Sequence, residues 1–288
     1  MSLVSRGVSL PRDRRLLHGG LFHRAGQSEC CNLQRALGPA ALPLACRQFP
    51  RVSVVDPRGV SITLSHYCPT AAALLDAAQP PAIVVNGPAF PADGEYVGLD
   101  ARTSLPPLLR PGMLMNWEAW WAWEARSVAL IGTARTPEVA LDGLALAVER
   151  TRTWTPGDGP LVDRVTAVFN GLGSAPRALS PGRNARVQME RQRELEVLDA
   201  VPDDLRPPRS ILAEPPPRLT ARRNFLLAHA FANWAGYLGQ GLRTWLRSLE
   251  AVEALLAGGA GVRTADLLLR HLADPFVLAD RWSEAERG

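Results

Sequence analysis

The chain contains four cysteines, and all of them lie between positions 30 and 68. Cys30 and Cys31 are adjacent, fourteen residues separate Cys31 from Cys46, and twenty-one separate Cys46 from Cys68. Thiolates are soft ligands that suit zinc or an iron–sulfur cluster. In a reducing compartment, clustered cysteines more often bind metal or take part in redox chemistry than form disulfides. The sequence therefore predicts a metal or cluster site built from Cys30 or Cys31, Cys46 and Cys68.

The spacing of these cysteines leaves the rest of the ligand set open. It matches no standard zinc-finger or ferredoxin pattern. His66, two residues before Cys68, and His23 are candidates for a fourth ligand. The alternative is that the cysteines are small buried side chains that bind no metal, as is common in protein interiors.

A β-hairpin is predicted between the last two cysteines. Residues Arg51 to Val55 and Val60 to Leu64 are rich in β-branched side chains, and the turn sequence Asp-Pro-Arg-Gly separates them. Such a hairpin carries the Cys46 region back toward the Cys68 region. Pro69 then suits the first turn of a following helix.

The remainder of the chain shows mostly helical periodicity. Four tryptophans surround a helix that begins after Gly112, which indicates burial on more than one side. An aromatic cage for a methylated or cationic group is the alternative interpretation of these tryptophans. Thr136 followed by Pro137 marks the start of the next helix, and Asp274 followed by Pro275 marks the start of the last.

We therefore predict a mainly α fold in which an N-terminal cysteine-cluster region with a β-hairpin is docked on a helical body. Its predicted segments are a cysteine-cluster region at 1–80, an extended connection at 81–111, a helical region at 112–200, a proline-rich linker at 201–217 and a C-terminal helical region at 218–288. In the last of these, apolar residues from Leu227 to Leu256 recur at helical spacing, and glycines within the run mark a kink.

Composition favours a cytoplasmic protein that binds neither nucleic acid nor membrane. The net charge is +4, and arginine alone carries the basic charge because the chain has no lysine. These arginines are scattered among acidic residues, without the basic block that marks a nucleic-acid surface. The N-terminus lacks the continuous apolar stretch of a secretory signal. Residues 224–242 carry no formal charge, but their polar side chains favour a buried helix over a membrane span.

One block of the sequence resembles a known family. The pattern C-x-L-x-x-x-L-G-x-x-x-L-P-x-x-C-R-x-F-P-R from Cys31 to Arg51, followed by T-L-S-x-x-C-P-T-A-A from Thr63 to Ala72, is similar to the zinc- or iron-chelating cysteine-cluster family that includes the flagellin lysine-N-methylases. The resemblance covers some forty residues. The family's upstream CxxCxxCC-like cluster has no counterpart, since no cysteine precedes Cys30.

This resemblance implies a ligand set and an activity. It makes Cys31, Cys46 and Cys68 metal or cluster ligands, with Cys30 as a candidate for a missing one. The cofactor would be an iron–sulfur cluster or zinc, and an active enzyme would use S-adenosylmethionine to methylate lysines of a protein such as flagellin. The alternative is a non-catalytic member whose cysteines staple the hairpin while the helical part binds a partner protein.

The residues themselves show no independent sign of methyl transfer. The chain has no complete glycine-rich dinucleotide fingerprint following a strand and no cysteine motif of radical enzymes. Glu118 and Glu124 on the tryptophan-rich helix are candidate acids or bases, although a carboxylate on a helix surface usually has no chemical role. His229 and His271 lie on apolar helix faces, where hydrogen-bonded core histidines are more common than catalysts.

Overall fold

The computed structural model describes residues 36–85, 96–172, 209–272 and 274–287, together with Gln192 and Glu196. Helices account for 61% and strands for 10% of this part of the chain, which confirms the mainly α prediction. In the predicted helical region at 112–200, residues 173–191, 193–195 and 197–200 lie outside the described residues. Of the predicted linker at 201–217, the structure describes residues 209–217, and Arg209–Leu212 form a short helix there.

The predicted hairpin is confirmed. Strand β1 (Arg51–Asp56) and strand β2 (Gly59–Leu64) pair antiparallel, in a register that runs from Arg51 opposite Leu64 to Asp56 opposite Gly59. Gly59 has a φ of 125°, a backbone conformation that side chains other than glycine rarely adopt. A two-residue turn therefore joins the strands at one end, and the chain enters and leaves the hairpin at the other.

Short helices flank the hairpin on both sides. Helix α1 (Leu44–Gln48) precedes it and carries Cys46, whereas helix α2 (Pro69–Ala73) follows it directly after Cys68. Pro69 occupies the first position of α2, as predicted, because its fixed φ suits a helix start and its missing N–H is not needed there.

The segment predicted to be an extended connection contributes strands. Strand β3 (Gly98–Asp100) pairs parallel with β1, so the sheet has the order β2-β1-β3. A Cβ atom at Gly98 would lie 2.1 Å from the backbone oxygen of Ser53, which explains the glycine at this position. Strands β4 (Leu108–Arg110) and β5 (Met113–Leu114) form a separate antiparallel pair.

The helical body follows β5. Its helices are α3 (Trp117–Thr133), α4 (Pro137–Arg152), α5 (Leu161–Asn170), α6 (Arg209–Leu212), α7 (Leu219–Ala230), α8 (Trp234–Leu238), α9 (Leu242–Ala257), α10 (Val262–Leu267) and α11 (Pro275–Trp282). A π-helical turn (Leu268–Leu272) extends α10.

The side chains of Thr136 and Asp274 cap α4 and α11 by accepting hydrogen bonds from the backbone N–H groups of Val139 and Phe276. Both helix starts are thus confirmed.

The long periodic segment is divided into α7, α8 and α9. Ala232 and Gly241 have φ values of 53° and 149°, which a continuous right-handed helix does not accommodate. The apolar spacing was therefore a correct indication of burial, but the chain changes direction twice within it.

One apolar core unites the two predicted helical regions. It includes Trp120, Trp123 and Ile131 of α3 together with Phe225 of α7 and Trp245 of α9, all at most 1% exposed. The rings of Trp123 and Trp245 meet edge to face at 5.5 Å between centroids. Core packing, not an aromatic cage, accounts for Trp120 and Trp123. No helix in the described ranges has both the length and the apolar character needed to cross a membrane.

Candidate functional site

The two described cysteines, Cys46 and Cys68, lie on the two chain segments that enter and leave the open end of the hairpin. The backbone N–H of Ser65 donates a hydrogen bond of 2.6 Å to the backbone oxygen of Pro50, which extends the pairing beyond Arg51 and Leu64. The segments that carry Cys46 and Cys68 therefore leave the same end of the hairpin. Both cysteines are half-buried, and no disulfide joins them.

Helix α1 is attached to the sheet through Gln48. This side chain is 4% exposed, and its Oε1 accepts a hydrogen bond of 2.9 Å from the backbone N–H of Val97, just before β3. Since Cys46 lies two residues before Gln48 on the same short helix, the contact limits how far Cys46 can move relative to the sheet.

The chain next to Cys68 is attached to α10. Oδ2 of Asp266 accepts hydrogen bonds from the Ser65 hydroxyl at 2.6 Å and from the backbone N–H of Tyr67 at 3.1 Å. Nε of Arg263 donates to the backbone oxygen of Tyr67 at 3.0 Å. The backbone N–H of Cys68 in turn donates to the oxygen of Ser65 at 3.4 Å. Two side chains of α10 thus hold the turn that ends at Cys68.

Asp266 is a fully buried carboxylate surrounded by hydrogen-bond donors. Its Oδ1 lies 3.3 Å from His229 Nε2 and 3.3 Å from Arg270 Nε. Burial by itself raises the pKa of Asp266, but hydrogen bonds from His229 and His271 and the charge of Arg270 outweigh it and hold the pKa well below its usual range. Burial, reinforced by Arg270, lowers the pKa of His229 to about 3, so the ring is neutral at pH 7.

Ser65, His271 and Asp266 together contain the residue types of a hydrolytic triad, but their geometry is different. Nε2 of His271 lies 2.7 Å from the Ser65 hydroxyl oxygen, and the same ring nitrogen lies 3.6 Å from Asp266. In a triad, the serine hydroxyl donates its hydrogen to the histidine, which acts as the base. Here the Ser65 hydroxyl donates to Asp266 instead, so His271 is not placed to accept that proton. Ser65 is also only 1% exposed. These residues anchor the chain and do not form a nucleophile.

The turn of the hairpin is held by a second buried charge cluster. Nη1 of Arg58 lies 2.7 Å from Glu124 Oε2, and Nη2 lies 3.2 Å from Asp56 Oδ2. Tyr237 donates its hydroxyl hydrogen to Asp56 at 3.0 Å, and the backbone N–H of Ala232 donates to Glu124 at 2.8 Å. Burial raises the pKa of Glu124, and the Arg58 guanidinium opposes that rise.

This cluster corrects the expectation for Glu124, which is 1% exposed and does not lie on a helix surface. Its carboxylate joins the hairpin turn to α3. Glu118, the other candidate on the same helix, is exposed. The expectation that His229 is a hydrogen-bonded core histidine is confirmed, whereas His271 is 28% exposed and contacts Ser65.

Of the predicted metal ligands, the structure describes Cys46, Cys68 and His66. Cys30, Cys31 and His23 lie outside the described residues. His66 is 4% exposed, its ring packs edge to face on Phe225 at 5.2 Å, and burial lowers its pKa to about 4. Among the residues that the structure describes, no three His, Cys, Asp or Glu side chains are arranged to hold a metal ion. Cys46, Cys68 and His66 therefore do not make a site by themselves.

A small cavity lies beside the sheet. It has a volume of about 170 Å³ and is lined by Val55, Tyr96, Gly98, Asp100 and Arg102. Pockets for small molecules usually have volumes of ~300–1,000 Å³. This cavity is therefore too small to hold a ligand of the size of S-adenosylmethionine.

No protein-family model, curated protein or solved structure matches this chain.

Proposed function

We propose that this chain is a metal- or iron–sulfur-binding cysteine-cluster protein. Cys46 and Cys68 supply two thiolates, and Cys31 and Cys30 are the candidates for the remaining ones. The observation that supports this proposal is the hairpin register, which brings the segments bearing Cys46 and Cys68 to one end of the sheet with both thiols half-buried.

The donor set fits such a group in its chemistry. Thiolates bind zinc and iron–sulfur clusters, and ligands from separate chain segments are typical of structural sites. A bound zinc ion would supply a structural cross-link, and a bound cluster would also supply redox chemistry. Because binding requires the folded arrangement, the binding free energy would add to the free energy of folding.

Methyl transfer to protein lysines is the activity that the resemblance adds to this proposal. An active enzyme uses S-adenosylmethionine and acts on a protein such as flagellin in the cytoplasm, where reduced thiols persist. The cavity beside β3 is too small to serve as its cofactor pocket.

The second candidate is a non-catalytic cysteine-cluster protein that binds a partner protein. The observation that favours it is that the polar side chains near the hairpin are occupied with structural hydrogen bonds and an ion pair. The carboxylates of Asp266 and Glu124 and the hydroxyl of Ser65 are all engaged in holding the hairpin to the helical body. None of the three is available as a catalytic base.

Anaerobic purification followed by metal analysis and absorption spectroscopy tests the proposal. Brown protein with broad visible absorption indicates a cluster, and colourless zinc-loaded protein indicates a structural site. Transfer of labelled methyl groups from S-adenosylmethionine to flagellin separates the two candidates. Fully loaded protein without such transfer favours the non-catalytic one.

A further inference from the structure

We infer that Arg263 and Asp266 are positioning residues that fix Cys68 for metal binding. This inference rests on the proposed metal site. It goes beyond that site because it assigns a role to two side chains of α10, a helix almost two hundred residues away in the sequence.

The two side chains bind the two polar groups of the Tyr67 backbone, its N–H and its carbonyl oxygen. Asp266 accepts from its N–H at 3.1 Å, and Arg263 donates to its carbonyl oxygen at 3.0 Å. Arg263 and Asp266 are three positions apart on a helix and so project from one face. The carbonyl that Arg263 binds belongs to the peptide that joins Tyr67 to Cys68. Both backbone groups of the residue before Cys68 are therefore fixed to α10.

The backbone of Cys68 is also held by hydrogen bonds on both of its sides. The backbone N–H of Cys68 donates to the backbone oxygen of Ser65. The side-chain hydroxyl of Ser65 in turn donates to Asp266. On the other side of Cys68, its carbonyl oxygen accepts from the N–H of Ala72 in the first turn of α2. Backbone hydrogen bonds before and after Cys68 thus set the direction of its Cα–Cβ bond.

Other side chains hold Arg263 and Asp266 in place. Arg263 forms an ion pair with Glu214 at 3.1 Å, and its guanidinium lies over the Tyr67 ring at 5.5 Å. Asp266 receives His229 and Arg270 on its other oxygen. Residues that support a metal ligand in this way typically change metal affinity by about 10- to 100-fold when they are replaced.

Cobalt(II) titration of the reduced, metal-free full chain tests the inference, because cobalt replaces zinc at thiolate sites and gives them a visible spectrum. The test variant is Arg263→Gln, which removes the donor to Tyr67 from a side chain that is 24% exposed. Its matched control is Arg247→Gln, whose side chain is 22% exposed and pairs with Glu250 on α9. We expect Arg263→Gln to raise the cobalt Kd about tenfold or more and Arg247→Gln to leave it unchanged.

A second measurement does not need metal. In the metal-free protein, Arg263→Gln is expected to change the rate at which iodoacetamide alkylates Cys68 while leaving the rate at Cys46 unchanged, as read by peptide mass spectrometry. Cobalt binding by Arg263→Gln with the wild-type Kd, together with unchanged alkylation of Cys68, would overturn the positioning role alone. Wild-type protein that binds no cobalt would overturn the proposed metal site as well.

Discussion

Arg58 in the turn of the hairpin forms an ion pair with Glu124, which lies 66 residues later on α3, with 2.7 Å between Nη1 and Oε2. At the opposite end of the hairpin, Ser65 bonds to Asp266 across 201 residues. Thr63 adds a hydrogen bond from its hydroxyl to the backbone oxygen of Ala228. The strands that join the two cysteine-bearing segments are therefore attached to the helical body at the turn and, through Thr63 and Ser65, at the open end.

Replacing Arg58 by Met is expected to destabilise the protein strongly. The side chain of Glu124 is 1% exposed and that of Asp56 is 0% exposed, so the change leaves two carboxylates buried without their counter-charge. Breaking a buried ion pair typically costs about 3–5 kcal/mol, and the 28% exposure of Arg58 reduces the expected loss to about 2–4 kcal/mol. Urea unfolding measures this change.

Arg102→Met is the matched control for Arg58→Met. Arg102 also pairs with an aspartate two positions earlier, Asp100, but the two side chains are 64% and 52% exposed. Exposed pairs contribute little to stability because water screens them. We expect no measurable change in the urea midpoint of Arg102→Met, and equal midpoints for both variants would contradict the role given to the buried cluster.

Gly236→Ala tests the packing of the tryptophan-rich core. A Cβ atom at Gly236 would lie 2.3 Å from Cη2 of Trp120, whose ring is held in the core. Overpacking of this kind typically costs about 1–3 kcal/mol. At Gly157, by contrast, the nearest atom to an added Cβ is 3.9 Å away. Thermal unfolding should show a lower Tm for Gly236→Ala than for Gly157→Ala, and the reverse order would refute this account of the core.

The sequence predicts those features that depend on neighbouring residues. Asp-Pro-Arg-Gly between two β-branched runs is sufficient for the hairpin, because both the turn and the strand propensities are local. Thr136 and Asp274 start helices by bonding to N–H groups two or three residues later. The break at Gly241 agrees with the kink predicted from the glycines of this run, whereas the break at Ala232 was not predicted because the apolar spacing continues through it.

The buried clusters could not be predicted in full, because their partners are distant in the sequence. A partial signal exists for each carboxylate. Glu124 shares a helix face with Trp117, Trp121 and Val128, and Asp266 directly precedes three leucines at 267–269. An acidic residue on an apolar face requires a buried partner. The sequence does not say that the partners are Arg58 and Ser65, since only the folded chain brings them together.

His229 is expected to make stability depend on pH. Burial lowers its pKa to about 3, whereas the unfolded value is about 6.5. A group with a lowered pKa in the folded state stabilises the protein fully above about pH 6.5, and this contribution is lost as the pH falls toward 3. Between pH 6 and pH 4, the unfolded chain binds about one more proton at this site, a slope of about 1.4 kcal/mol per pH unit.

His229→Gln isolates this contribution. The side-chain amide of Gln can replace the His229 ring as a hydrogen-bond donor to Asp266, and His271 and Arg270 still lower the pKa of that carboxylate. Groups away from this cluster titrate alike in both proteins, so their effects cancel in the difference. The free energy of unfolding, measured in urea at several pH values, should fall less steeply with acidification in His229→Gln than in the wild type. Parallel curves would show that His229 is not held neutral by its surroundings.

The central claim is that Cys46 and Cys68 bind one metal or cluster together. Each is to be replaced by Ala, and metal content and Tm are to be measured on protein purified without oxygen. We predict that the wild type contains zinc or iron, that each variant loses most of it, and that each melts at a clearly lower temperature because metal binding contributes to folding. Wild-type protein free of metal, or variants with the metal content and Tm of the wild type, would contradict the claim.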